Sequence, residues 1–120
     1  MVTVNELLQA YARKQENRTF VCKIGDKEFH GEELPLTAVI DMTDSYDTKT
    51  AVGGFELAKE LCYMTFPIFR SAELAKTIDC KGEPHNVVEM VLTNSELTEM
   101  INYVSKLYDT KGDKDAVKKR

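Results

Sequence analysis

Residues 55–69 read FELAKELCYMTFPIF, and the place of Pro67 in this run decides how the chain folds. Leu57, Leu61, Met64 and Ile68 recur at intervals of three or four, the spacing of one helical face. Proline has no N–H to give to that helix and its ring clashes with the preceding turn, so the helix is predicted to kink or end near Phe66. The run also crowds Tyr63, Met64, Phe66, Pro67, Ile68 and Phe69 together, more apolar surface than one face of a kinked helix buries. Either this segment is the centre of the core, or part of it faces a partner, a use to which Met and aromatic side chains are suited.

Working toward the N-terminus, DTKTAVGG at 47–54 has the composition of a loop, with Gly53 and Gly54 as its breakers. In residues 34–46, Pro35 suits a first helical position, and Leu36, Val39, Ile40, Thr43 and Tyr46 share a face. We read this stretch as helix, although LTAVIDM also reads as a strand. TFVCKI alternates Phe20, Cys22 and Ile24 with polar positions; GDK supplies turn chemistry and EFH a short return strand. A lone hairpin is marginal, so it must lean on helices or pair with another chain. Thr3 and Glu6 stand in capping-box relation ahead of Val4, Leu7, Leu8 and Tyr11, which predicts a first helix running to about Gln15.

Beyond Pro67, Ser71 is placed to cap a short helix containing Leu74, Ala75 and Ile78. KGEP breaks it, and Pro84 opens another through Val87, Val88, Val91 and Leu92. Thr93 and Glu96 form a second capping box before a stripe of Leu97, Met100, Ile101, Val104, Leu107 and Tyr108, the clearest helix in the chain. The expected fold class is mainly α (α+β), a small helical domain with one short N-terminal β-hairpin. Residues 1–108 are expected to form a single helical domain and 109–120 a flexible charged tail.

A chain of 120 residues, 42% of them hydrophobic, can bury one core. Residues 109–120 carry five basic and three acidic side chains against eleven and seventeen in residues 1–108, so a body of −6 precedes a tail of +2. This balance disfavours nucleic acid, which is held by clustered Lys and Arg. The start of the chain lacks the apolar run of a secretory signal, and no apolar run approaches a membrane span. We therefore expect a soluble, cytoplasmic protein. Cys22, Cys62 and Cys80 are widely spaced without a C-x-x-C pair, which supports neither a disulfide framework nor a zinc site; Cys22 and Cys62 are expected inside packed elements.

His85, within DCKGEPH, reads as part of a polar loop, and His30, among Glu28, Glu32 and Glu33, as part of a solvated hairpin edge. The glycines lack the spacing of a phosphate cradle and the serines lack a nucleophile elbow. The expectation is a non-enzyme, with no catalytic residue, metal or cofactor.

The order FELAKELCYMTFPIFRSAEL followed by EPHNVVEMVLTNSELTEMINYVSKLYD resembles the tail assembly chaperones of tailed bacteriophages and prophages, of the XkdN-like group. The likeness spans roughly residues 55–109. It lies in Phe66 and Pro67 followed by Glu73 and Leu74, in the Pro84 to Leu92 helix, and in a final helix begun by Glu96 and ending near Tyr108 and Asp109. It implies a non-catalytic chaperone that binds the tape-measure protein, a very long helical protein, and keeps it soluble in the bacterial host cytoplasm until tail-tube subunits polymerise around it. It also implies a longer product made by ribosomal frameshifting, for which Lys118, Lys119 and Arg120 are a compatible ending. Self-association is open to such a protein.

On this reading the contact candidates are Tyr63, Phe66, Phe69, Met100 and Tyr103, with Tyr103 off the main stripe of its helix. Phe69→Asp is expected to break client binding in a folded protein. The competing reading is a small cytosolic regulatory or adaptor protein with a helix-turn-helix in residues 65–78. Its reading helix SAELAKTI would offer one Lys beside one Glu, which is poor for phosphate and base contacts.

Overall fold

The computed structural model describes residues 1–108, and the predicted tail at 109–120 lies outside the described residues. The elements are helix α1 (Val4–Glu16), strands β1 (Thr19–Ile24) and β2 (Lys27–Glu32), and helices α2 (Leu36–Asp44), α3 (Ala51–Thr65), α4 (Ala72–Thr77), α5 (Val87–Val91) and α6 (Asn94–Leu107). Single 3-10 turns at Pro67–Arg70 and Pro84–Asn86 lead into α4 and α5. The domain is mainly α with one antiparallel hairpin, as the sequence predicts.

Proline determines the central joint. α3 ends at Thr65, and Phe66 takes the extended φ −110°, ψ 100° that a following proline favours. Pro67 leaves the carbonyl of Tyr63 without its helical donor. The Arg70 guanidinium supplies one instead, donating to Tyr63 O at 2.9 Å and to Met64 O at 2.7 Å. The chain thereby folds back and brings Phe66 and Phe69 under the hairpin. Phe66 is fully buried, with edge-on contacts to Phe20 at 5.9 Å, Phe29 at 5.7 Å and Phe69 at 6.3 Å between ring centres. Each such pair contributes roughly 0.5–1.5 kcal/mol beyond its area.

β1 is the predicted TFVCKI, whereas β2 runs over six residues and not only EFH, with Cys22 opposite Phe29. Cys22, Ile24 and Phe29 point into the core, while Val21, Lys23, Glu28 and His30 face out. Gly25 has φ +61°, the left-handed geometry of the first residue of a tight hairpin turn. α6 holds this turn from outside: Glu99 accepts from Gly25 N at 3.2 Å, and Glu96 pairs with Lys27 at 2.6 Å. Hydrogen bonding to Lys27 keeps the Glu96 carboxyl below its usual range.

Capping is read well from sequence. Thr93 and Glu96 make both bonds of the capping box, and Ser71 caps α4 through Glu73 N. Thr3 accepts from Glu6 N, which is one half of the box expected there. The Tyr108 hydroxyl accepts from Leu34 N at 2.9 Å and bonds Thr65 Oγ1 at 2.7 Å, joining the ends of α6 and α3 to the start of α2.

Four expectations need correction. Ala51–Gly54 is the first turn of α3, not a loop: Thr50 caps it by accepting from Gly53 N at 3.0 Å. Gly53 is there for close packing, because a Cβ would strike the Asp47 carbonyl. The residues of α3 that bury are Lys59, Leu61, Cys62 and Thr65, while Ile68 lies 58% exposed. α3 packs against α2, α5 and α6 at once, so its buried surface is wider than one stripe. Pro35 is the N-cap of α2, not its first residue, and of that helix's apolar face Val39 is buried while Leu36 and Ile40 stay exposed. His85 does not lie in an open loop; it is buried, and Glu56 on α3 reaches it.

Gly31 lies opposite Phe20 across the hairpin, and a Cβ there would fall within the Phe20 ring. Gly31→Ala is expected to push Phe20 off Phe66 and lower stability by about 1–3 kcal/mol. A reduced urea midpoint at unchanged slope checks this.

Candidate functional site

The structure separates the five contact candidates. Phe66, Phe69 and Met100 are core residues, exposed by 3% or less. Tyr103 is half-buried, and its ring stacks on Phe20 at 5.8 Å. Tyr63 is half-buried and shares with Phe69 the wall of a cleft between the end of α3 and α4. Phe66 and Met100 therefore offer no free surface to a partner, and Phe69 offers only the edge that lines this cleft. The stop at Pro67 turns the two phenylalanines inward, and Met100 sits on the face of α6 that packs on α3.

Sequence reasoning did not foresee the polar cluster between α3 and the start of α5. Lys59 is 1% exposed and donates to Asn86 Oδ1 at 2.7 Å, to Glu89 Oε1 at 2.7 Å and, in an ion pair, to Glu56 Oε1 at 2.9 Å. Three acceptors match the three protons of the ammonium, which also lies 4.9 Å from the centre of the Phe55 ring. His85 Nε2 bonds the second Glu56 oxygen at 2.7 Å, and Tyr46 donates to Glu60, one turn further along the same face of α3. Burial opposes the Lys59 charge, but hydrogen bonds to Glu89 and Glu56 outweigh it and raise the pKa. Burial also opposes the Glu56 charge, and the bonds from Lys59 and His85 outweigh it, so this carboxyl sits below its usual range.

This arrangement is a clamp. Every proton of Lys59 is taken up within the fold, and among the described residues no buried side-chain nitrogen or oxygen lacks a partner. No three His, Cys, Asp or Glu side chains among the described residues are grouped so as to hold a metal ion. Cys62 is fully buried, its thiol pushed up to about 12 by desolvation; burial raises Cys22 as well, and Cys80 alone of the three is half-exposed.

A row of exposed apolar side chains lies on α1. None of its residues is buried, and Val4, Leu7, Leu8 and Tyr11 are between 61% and 73% exposed. These four fall at helical spacing on one side. Gln15 extends the row, and where α1 ends a cleft of about 570 Å³ opens between Lys14 and Arg18 on one wall and Glu33, Leu34, Pro35 and Leu36 on the other. The sequence shows this stripe plainly, but a stripe has the same pattern whether its partner is the chain itself or another. By contrast, α4 is only six residues long, roughly 9 Å, and carries Glu73 beside Lys76. No helix among the described residues is long and apolar enough to cross a membrane.

Phe69→Asp is expected to unfold the domain, because the charge would enter a site 3% exposed with no partner for it; loss of the cooperative thermal transition checks this. Lys59→Ala leaves Glu56 and Glu89 without their cation and is expected to cost on the order of 3 kcal/mol, read from the urea midpoint. Because folding depresses the Glu56 pKa, its contribution is present above the unfolded value, about 4.3, and is lost as pH falls through the folded value. The urea midpoint should therefore fall as pH drops below about 4.3, and Glu56→Gln should flatten that limb.

No protein-family model, no curated protein and no solved structure matches the chain.

Proposed function

We propose that the chain acts without catalysis, as a chaperone that holds an amphipathic helix of a long helical client, the part that phage tail assembly chaperones play toward the tape-measure protein. The observation that carries this reading is the bare apolar stripe of α1. A helix of 13 residues is marginal in water by itself, and no residue of α1 is buried in the core of the domain. A row of apolar side chains at this spacing is the surface against which a partner helix docks. Lys14 and Arg18 at the end of the row favour a client helix with acidic residues beside its apolar face.

In this reading α1 takes over the role expected of Phe66, Phe69 and Met100, and the acidic body keeps the complex soluble in the bacterial host cytoplasm. Tail-tube subunits would displace the chaperone as they polymerise. Neither nucleic acid nor a membrane takes part.

Because α1 contributes nothing to the core, it can be altered without loss of the fold. Leu8→Asp is expected to leave the thermal midpoint within about 3 °C, since exposed substitutions away from the core change stability by no more than about 0.5 kcal/mol. Co-expressed with the tape-measure protein, the unaltered chain should keep it in the soluble fraction and co-purify with it, and Leu8→Asp should do neither. Full retention of the client by Leu8→Asp, or no retention by the unaltered chain, overturns the proposal.

A further inference from the structure

The cleft shared by Tyr63 and Phe69 has a definite chemistry. It encloses about 300 Å³, with apolar walls from Tyr63, Phe69, Ala75, Ile78, Pro84 and Val87 and with the half-exposed Cys80 thiol among them. Asp79 and Glu83 stand on its lining as carboxylates. The one cation on the lining, Arg70, is turned to the carbonyls of Tyr63 and Met64. Lys81, between the two acids in sequence, is not part of the lining.

The outer wall is a backbone feature. Lys81 has φ +53° and Gly82 φ +86°, two successive left-handed residues that fold 79–83 back on itself; Asp79 Oδ1 fixes the turn by accepting from Lys81 N at 2.9 Å. A left-handed lysine is strained, and strain of this kind gathers at binding sites.

We propose that this cleft takes a large apolar side chain of a partner protein that stands next to a lysine or arginine. The apolar walls receive the side chain, and Asp79 and Glu83 receive the neighbouring charge. A volume at the bottom of the range for small-molecule sites suits one anchoring side chain better than a cofactor. No residue of α1 lines the cleft, so the inference stands apart from the client of α1.

The test is a nitrogen-15 NMR titration of the full chain with N-acetyl-Phe-Lys amide and with N-acetyl-Phe-Glu amide at matched ionic strength. The lysine peptide should give saturable shifts at Ile78, Cys80 and Val87 and bind at least about fivefold more tightly than the glutamate peptide. Asp79→Asn with Glu83→Gln should bring the two peptides to equal affinity, and Ala75→Phe, which fills the cleft, should abolish both; the spectra themselves report that each variant is folded. Equal affinities in the unaltered chain, shifts centred elsewhere, or no saturation by about 10 mM overturns the proposal. So does tighter binding of phenethylammonium than of the lysine peptide, which would give the site to a small cation.

Discussion

Proline at position 67 has no N–H to give to α3, and most of the tertiary structure depends on how the chain accommodates that loss. The helix stops at Thr65, Phe66 goes extended, and Arg70 turns back to satisfy the two carbonyls left open. Only in this geometry do Phe66 and Phe69 reach Phe20 and Phe29 on the two strands. A two-stranded hairpin is marginal alone, so the same aromatic cluster that fills the core also gives the hairpin its reason to persist.

The far side of α3 is held by a different force. Where the aromatic cluster is dry, the face toward α5 buries an ammonium group, and desolvation is offset only because each proton finds an oxygen. This polar seam specifies how α3 and α5 register against each other, since an apolar seam would tolerate a small slip and a three-acceptor site does not. Tyr108 does similar work at the other end of the helix, tying α6, α3 and α2 through one hydroxyl. α1 lies outside all of these contacts and keeps its apolar row exposed.

Much of the fold was legible because local chemistry reports local structure. Thr93 with Glu96, Ser71, and Pro84 mark helix starts through bonds to their own neighbours, and the alternation of Cys22 and Ile24 marks the inner face of β1. Which apolar side chains stay exposed was not legible. An apolar residue has the same appearance in sequence whether it packs in the core or waits for a partner, which is why Phe66, Phe69 and Met100 were candidates and Leu8 was not. Gly53 misled for a related reason: it reads as a breaker, yet its missing Cβ makes room for the Asp47 carbonyl against the first turn of a helix.

From the sequence alone came the mainly helical class, the hairpin, the stop before Pro67 and the acidic balance of the first 108 residues. These depend on periodicity, capping and charge, which act within a few residues along the chain. The tertiary structure alone decided that Lys59 and His85 are interior, that Tyr63 and Phe69 share an acid-rimmed cleft and that α1 stands free. Those facts depend on which surfaces meet when separate elements pack, and the physical reason they escape the sequence is that burial is a property of both partners in a contact.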